Sequence, residues 1–240
     1  MSDPLRVAIV AEGPTDRIVI EAALEAMLPG RSIVPTQLQP EGSLASGLLG
    51  SGWAGVYRWC HSPAARGGGR LGGNQLLFQD YDVLILHLDA DVAAEDYAHG
   101  SIVPVAGDRT LPCEQPCPPA SATTDALRGV LLSWCGETSG PTHTVICMPS
   151  TSTEAWVIAA LFPNDRAMSL NIECYPDPES RLGQQPKKRR IRKSQGTYRA
   201  VSRRLTAAWP SLGRVGNLSE ARRFEDEVLG ALKVSPATGV

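Results

Sequence analysis

Six oxygen-bearing side chains stand where chemistry is most readily built in this chain. Glu12 directly follows an apolar run at residues 6–11 (RVAIVA), and Asp16 comes four positions later. Asp89 and Asp91 follow a second run at 82–88 (DVLILHL), while Ser152 and Glu154 come shortly after a third at 143–148 (HTVICM). Carboxylates gathered at close range push one another towards protonation, so such a group signals a bound divalent cation. A donor set made only of oxygen suits Mg²⁺ or Mn²⁺ rather than zinc.

The local spacings support that chemistry. Glu12 and Asp16 lie four apart across the entry to a helix, where side chains at i and i+4 meet. In Asp89-Ala90-Asp91 an extended backbone would turn both carboxylates to one side, and Ser152 and Glu154 are again two apart. Each residue also has a plainer reading. Asp16 and Glu154 suit the first turn of a helix, Ser152 suits a helix N-cap, and an Asp-x-Asp at a strand end is common in α/β proteins.

The elements that must position these groups can be read from the same pattern. Residues 6–11 are rich in β-branched side chains and close on Glu12-Gly13-Pro14, which predicts a buried parallel strand. Thr15 is the expected N-cap of a helix from Asp16 to about Leu28, stopped by Pro29-Gly30. Strands are expected at 32–39, 82–88 and 143–148, and helices at 122–135 and 154–161. This alternation predicts an α/β fold with a central, mostly parallel sheet flanked by helices, whose strands share one carboxyl edge.

Two stretches break the rhythm. Residues 42–73 are glycine-rich and 99–120 are rich in Pro and Cys, and both read as loop insertions. Residues 1–165 are therefore expected to form the main α/β domain with those insertions. Residues 166–240 follow as a basic linker and C-terminal helices, at about 197–209 and 218–232, packing on the same domain. Asn217 or Ser219 is the expected cap of the last helix.

The chain has 240 residues with 42% hydrophobic content, enough to bury a core. Its net charge of −2 argues against bulk attraction for a polyanion, so any nucleic-acid contact must be local. Residues 187–193 supply it: Lys187, Lys188, Arg189, Arg190, Arg192 and Lys193 surround Ile191, dense enough to hold phosphates by counterion release. The plainer reading is a solvated loop. The start of the chain has no basic, apolar leader and no apolar run approaches ~20 residues, so a cytoplasmic protein without membrane contact is expected. Its six cysteines then read as reduced thiols. A loose zinc pattern from Cys113, Cys117, Cys60 and His61 stands beside that reading. His87 reads as a hydrogen-bonded core residue rather than a ligand. Trp134, Trp156 and Trp209 read as core, whereas packing and base stacking stay open for Trp53 and Trp59.

The order apolar strand, Glu12-Gly13, apolar strand, Asp89-Ala90-Asp91 resembles the Toprim domain of topoisomerases, bacterial primases and OLD-family nucleases, over roughly residues 5–160. Asp16 and Ser152-x-Glu154 are similar to features of the OLD-like branch, whose nucleases use two metals. The resemblance implies that Glu12, Asp16, Asp89 and Asp91 hold one Mg²⁺ or Mn²⁺, and Asp89, Ser152 and Glu154 the other. It also implies a lysine near the scissile phosphate, for which Lys193 is the candidate and Lys187 and Lys188 are alternatives.

The activity so implied is metal-dependent cleavage of nucleic acid, DNA ahead of RNA, within an anti-phage defence system. The departures matter too. OLD nucleases carry an ATPase, yet no GxxxxGK[ST] phosphate loop occurs here, so any ATPase is a separately encoded partner. The tyrosine-bearing domain of topoisomerases and the zinc module of primases find little room. Two alternatives stand beside the nuclease: a Toprim-fold subunit silent until an ATPase docks, and a phosphohydrolase acting on a small molecule.

Overall fold

Each apolar run forms a parallel strand: β1 (Leu5–Val10), β2 (Ile33–Gln39), β3 (Val83–His87) and β4 (Thr144–Cys147). The computed structural model describes residues 3–40, 49–67, 69–213 and 218–233. The sheet runs β2-β1-β3-β4 with every pairing parallel. Strands β1, β3 and β4 are covered on both faces, which is why they read as nearly unbroken apolar runs rather than alternating ones. Successive residues feed opposite cores. Val7, Ile9, Ile85 and Val145 face one layer, and Ala8, Val10, Leu84, Leu86 and Ile146 face the other.

Eleven helices connect and cover the strands among the described residues: α1 (Pro14–Met27), α2 (Gly52–Cys60), α3 (Pro63–Arg66), α4 (Gln75–Asp80), α5 (Ala120–Trp134), α6 (Thr153–Leu161), α7 (Arg166–Ser169), α8 (Pro178–Gly183), α9 (Gln195–Ala208), α10 (Pro210–Gly213) and α11 (Ser219–Lys233). The first layer joins α1, α6, α9 and α11 through Ile20, Trp156, Leu205 and Phe224. The second joins α2 and α5 through Val56, Trp59, Leu127 and Trp134. Helix α6 is buried almost all round because α8 and α9 pack over it as well. The C-terminal helices thus complete the core that begins at β1.

Several sequence expectations change in detail. The glycine-rich stretch is largely helical: α2, α3 and a 3-10 turn at Leu71–Gly73 cover the sheet, while residues 41–48 lie outside the described residues. Trp59 is buried and Trp53 stacks on Trp134 at 6.3 Å between ring centroids, so both are packing residues. Gly13, not Thr15, caps α1, because Pro14 already has the φ of a first helical residue. Asn217 lies outside the described residues. The stretch at 99–120 is irregular, as expected, and is pinned where Cys113 and Glu114 both donate their amides to the Ala93 carbonyl at 2.7 and 3.0 Å.

The cysteines require a larger correction. Cys117 and Cys174 form a disulfide that ties the irregular stretch to the segment before α8. Folding brings their Cα atoms to 5.6 Å, within bonding range despite a separation of 57 residues. This overturns the all-reduced reading and removes Cys117 from the zinc pattern. Cys60, Cys113, Cys135 and Cys147 remain free. Among the described residues no helix is long and apolar enough to cross a membrane.

Thiol titration of the denatured, unreduced protein should detect those four cysteines and miss Cys117 and Cys174. Closing so long a loop stabilises by about 3–4 kcal/mol, so dithiothreitol should lower the unfolding free energy by that order. Six titrating thiols and no effect of reductant would reject the bond.

Candidate metal centre

The chain leaves β1 towards β2 on one side and later places β3 on the other side of β1. A crevice therefore opens beyond the carboxyl ends of β1 and β3, where ligands bind in open parallel sheets. Glu12 and Asp89 flank it. The Asp89 amide donates to Glu12 Oε1 at 2.8 Å, joining the two strand ends. Gly13 leaves room for the next acid, since a Cβ at that position would sit 3.2 Å from Asp16 Oδ2.

Helix α6 closes the crevice. Thr153 donates its hydroxyl to Asp16 Oδ1 at 2.8 Å and its amide to Asp89 Oδ1 at 3.1 Å. Asp16 and Asp89 are both buried, and His87 Nε2 lies 3.2 Å from Asp89 Oδ1. One potential ligand atom each from Asp16, His87 and Asp89 falls within 4.8 Å of the other two. Sequence reasoning placed His87 in the core as a hydrogen-bonded residue. It is indeed fully buried, with Nε2 against Asp89 and Nδ1 without a partner. The available signal was its position, two residues before Asp89, which turns both side chains to one side of the strand.

The Asp89-Ala90-Asp91 segment is not extended. Asp89 caps a 3-10 turn at Ala90–Ala94, because the following amides bond to the loop after β4: Ala90 to the Pro149 carbonyl and Asp91 to the Thr151 carbonyl, at 3.2 and 3.1 Å. Asp91 is carried to the exposed rim instead of lying beside Asp89, though it still senses the charges of Lys193 and Glu154.

Glu154 is wholly buried. Its Oε1 accepts from the Tyr198 hydroxyl at 2.6 Å and lies 3.4 Å from Lys193 Nζ, while Oε2 has no partner. Lys193 also bonds Glu179 at 3.1 Å. Ser152 is buried at the N-cap of α6 but makes no side-chain capping bond. Tyr198 escaped sequence reasoning, since nothing in a helical Thr-Tyr-Arg marks the residue it will face.

The basic segment divides in two. Buried Ile191 anchors it; Lys187, Lys188, Arg189, Arg190 and Arg192 are exposed, and so is Lys193, although its ammonium reaches Glu154. Arg189 lies over the Phe162 ring at 5.1 Å. Of the three candidate lysines, only Lys193 reaches the acidic group.

The field of the site follows from burial and crowding. Burial and then Asp89 push Glu12 well above the usual carboxylate range. Burial and Asp16 raise Asp89 to about 7; Asp91, exposed as a residue, has its carboxyl turned towards the protein, and that desolvation, against the pull of Lys193, leaves it at about 6. For His87, burial opposes the charge but Asp89 overrides it and raises the imidazole to about 9. Lys193 is likewise raised, its burial outweighed by Glu154. The orphaned Glu154 Oε2 and these reluctant carboxyls fit a divalent cation, which would displace the His87 proton, and oxygen remains the majority donor. Comparison with protein-family models, with curated proteins and with solved structures finds no match to the chain.

In metal-free buffer, Asp89 and His87 have folded-state pKa values above their unfolded ones, so both hold more protons when folded. Stability should therefore fall from about pH 4 to about 7 through Asp89, and from about 6.5 to about 9 through His87. Melting curves across that range should slope downward with rising pH, and Mn²⁺ should raise the alkaline end most. A flat profile unmoved by Mn²⁺ would reject this electrostatic account.

Proposed function

We propose that the chain is a Toprim-like phosphodiesterase that cleaves nucleic acid with Mg²⁺ or Mn²⁺. The observation that carries this reading is the meeting of Asp16, His87 and Asp89 at the carboxyl edge of a parallel sheet, with the half-satisfied Glu154 and its Lys193 partner on the neighbouring helix end. Glu12, Asp16 and Asp89 would hold one ion, which Asp91 could reach only from the rim, and Asp89, Ser152 and Glu154 the second. Ions so held supply an activated water and offset charge on the phosphate.

The side chains have separable roles. Thr153 fixes Asp16 and Asp89 relative to each other through two hydrogen bonds. Tyr198 orients Glu154 so that Oε2 is left for a ligand. Lys193 holds its proton throughout and places a positive charge where a phosphate would accumulate negative charge. The exposed Lys187, Lys188, Arg190 and Arg192 bind the polymer backbone without reading its sequence.

Cleavage of plasmid, linear and single-stranded DNA and of a structured RNA, each with Mg²⁺, Mn²⁺ or EDTA, tests the reading. Asp89→Ala should abolish metal-dependent cutting and calorimetric Mn²⁺ binding while leaving the protein folded. Lys193→Ala should lower kcat about 100-fold with little change in KM, as expected for a contact made mainly in the transition state. Changing Lys187, Lys188 and Arg190 to Gln together should raise KM and flatten the salt dependence by roughly one logarithmic unit per lost phosphate contact. Cutting by Asp89→Ala would reject the mechanism. Mn²⁺ binding without cutting would favour a subunit awaiting a separate ATPase, and preference for a small phosphate ester over polymers would favour a phosphohydrolase.

A further inference from the structure

A second cleft opens at the amino end of β4, whereas the acidic residues follow the carboxyl ends of the strands. Helix α5, the start of β4 and helix α11 wall it, and its volume is about 610 Å³. That size suits a small-molecule ligand. Arg128, only 8% exposed, crosses its floor. Its Nη1 pairs with Glu227 Oε1 at 2.7 Å and its Nη2 donates to the Ile146 carbonyl at 3.0 Å, but Nε has no partner. Two further buried polar atoms among the lining residues also lack partners, His143 Nδ1 and Thr144 Oγ1. Three unsatisfied groups around one cleft form an unusual concentration, because buried polar atoms are nearly always paired.

The charges of the cleft are unequal in the same sense. Glu227 is occupied by Arg128 and by the Ile146 amide at 2.9 Å, which also covers the outer edge of β4. Asp125 is occupied by Arg223 at 2.5 Å. Arg109, from the irregular 99–120 stretch, forms no ion pair among the described residues and lies at the rim. Its guanidinium rests directly on Gly129, inside α5, where a Cβ would collide with Nη1. Glycine within a helix is destabilising, and here it makes the space that seats an unpaired cation over the cleft. The exposed Arg109 guanidinium is the donor a phosphate recognises first, and the unsatisfied Arg128 Nε–H, His143 and Thr144 lie just beneath the surface, where a modest side-chain shift would bring them to it.

We propose that this cleft binds a phosphate monoester of about mononucleotide size, independently of the metal centre. Calorimetric titration in EDTA with inorganic phosphate and with adenosine 5′-monophosphate tests it, using the full chain carrying Asp89→Ala so that the acidic site takes no part. Saturable binding at one site is expected, weakened about tenfold or more by Arg109→Ala, the loss of one charge-assisted hydrogen bond. Because Arg109 is exposed, that variant should fold normally, which circular dichroism verifies. Gly129→Ala, which displaces the guanidinium while keeping its charge, should weaken binding in the same direction. Tighter binding of the nucleotide assigns the remainder of the cleft to its nucleoside, and equal binding assigns the site to phosphate itself. Failure of both ligands to bind, or equal affinity in Arg109→Ala, would overturn the proposal.

Discussion

Thr153 donates its amide to Asp89 and its hydroxyl to Asp16, and this pair of bonds fastens the end of β3, the start of α1 and the start of α6 to one another. The arrangement is costly, since it holds two buried carboxyls together beside His87. The wider group contains Glu12, Asp16, Asp89, Asp91 and Glu154, against the cations His87 and Lys193. Deprotonated, those acids outnumber the two cations. Removing charge from water costs several kcal/mol per ion unless it is matched, so the deficit must be met by protons or by a further cation. The raised pKa values of Glu12, Asp89 and Asp91 are the proton answer.

The C-terminal segment is what makes this edge a site rather than an exposed crevice. Helix α9 packs on α1 and α6, and that packing delivers Tyr198 to Glu154 Oε1. Ile191, inserted into the first core, fixes the turn that brings the Lys193 ammonium to Glu154. Burial of one apolar residue thus sets one surface ammonium of a uniform positive run against buried Glu154 while the others face solvent. The same segment is tied to the opposite side of the sheet by the Cys117–Cys174 bond.

Much of the α/β architecture was legible because the strands are buried on both faces and so announce themselves as apolar runs. Parallel order then forces the residues after each strand onto one edge, which is why Glu12, Asp89 and Glu154 could be grouped from positions far apart in the chain. The finer geometry was not legible. The turn at Asp89 depends on carbonyls of Pro149 and Thr151, and no local feature of Asp-Ala-Asp reveals those partners. His87 looked like core because its neighbours are apolar, yet its ring faces Asp89 at the end of the strand. The glycine-rich stretch read as loop because glycine disfavours helix, but Val56 and Trp59 bury enough surface to hold α2 in place. The disulfide joins residues whose meeting is decided only by the tertiary fold.

The two ends of the sheet carry opposite imbalances, and both arise from the direction of the strands. At the carboxyl ends the chain enters tight turns towards α1 and α6, where acidic residues are favoured by the first turn of a helix. The amino end of β4 is instead bordered by the middle of α5 and by α11, where Arg128 must satisfy the free carbonyl of an edge strand and Glu227 the free amide. Once Glu227 is committed to that amide and to Arg128, it cannot also neutralise Arg109 at the rim. The need to close the sheet edge therefore leaves surplus positive charge at one end, just as strand convergence leaves surplus negative charge at the other. A single four-stranded sheet thus carries an acidic crevice beyond the carboxyl ends of β1 and β3 and a cleft with surplus positive charge at the amino end of β4.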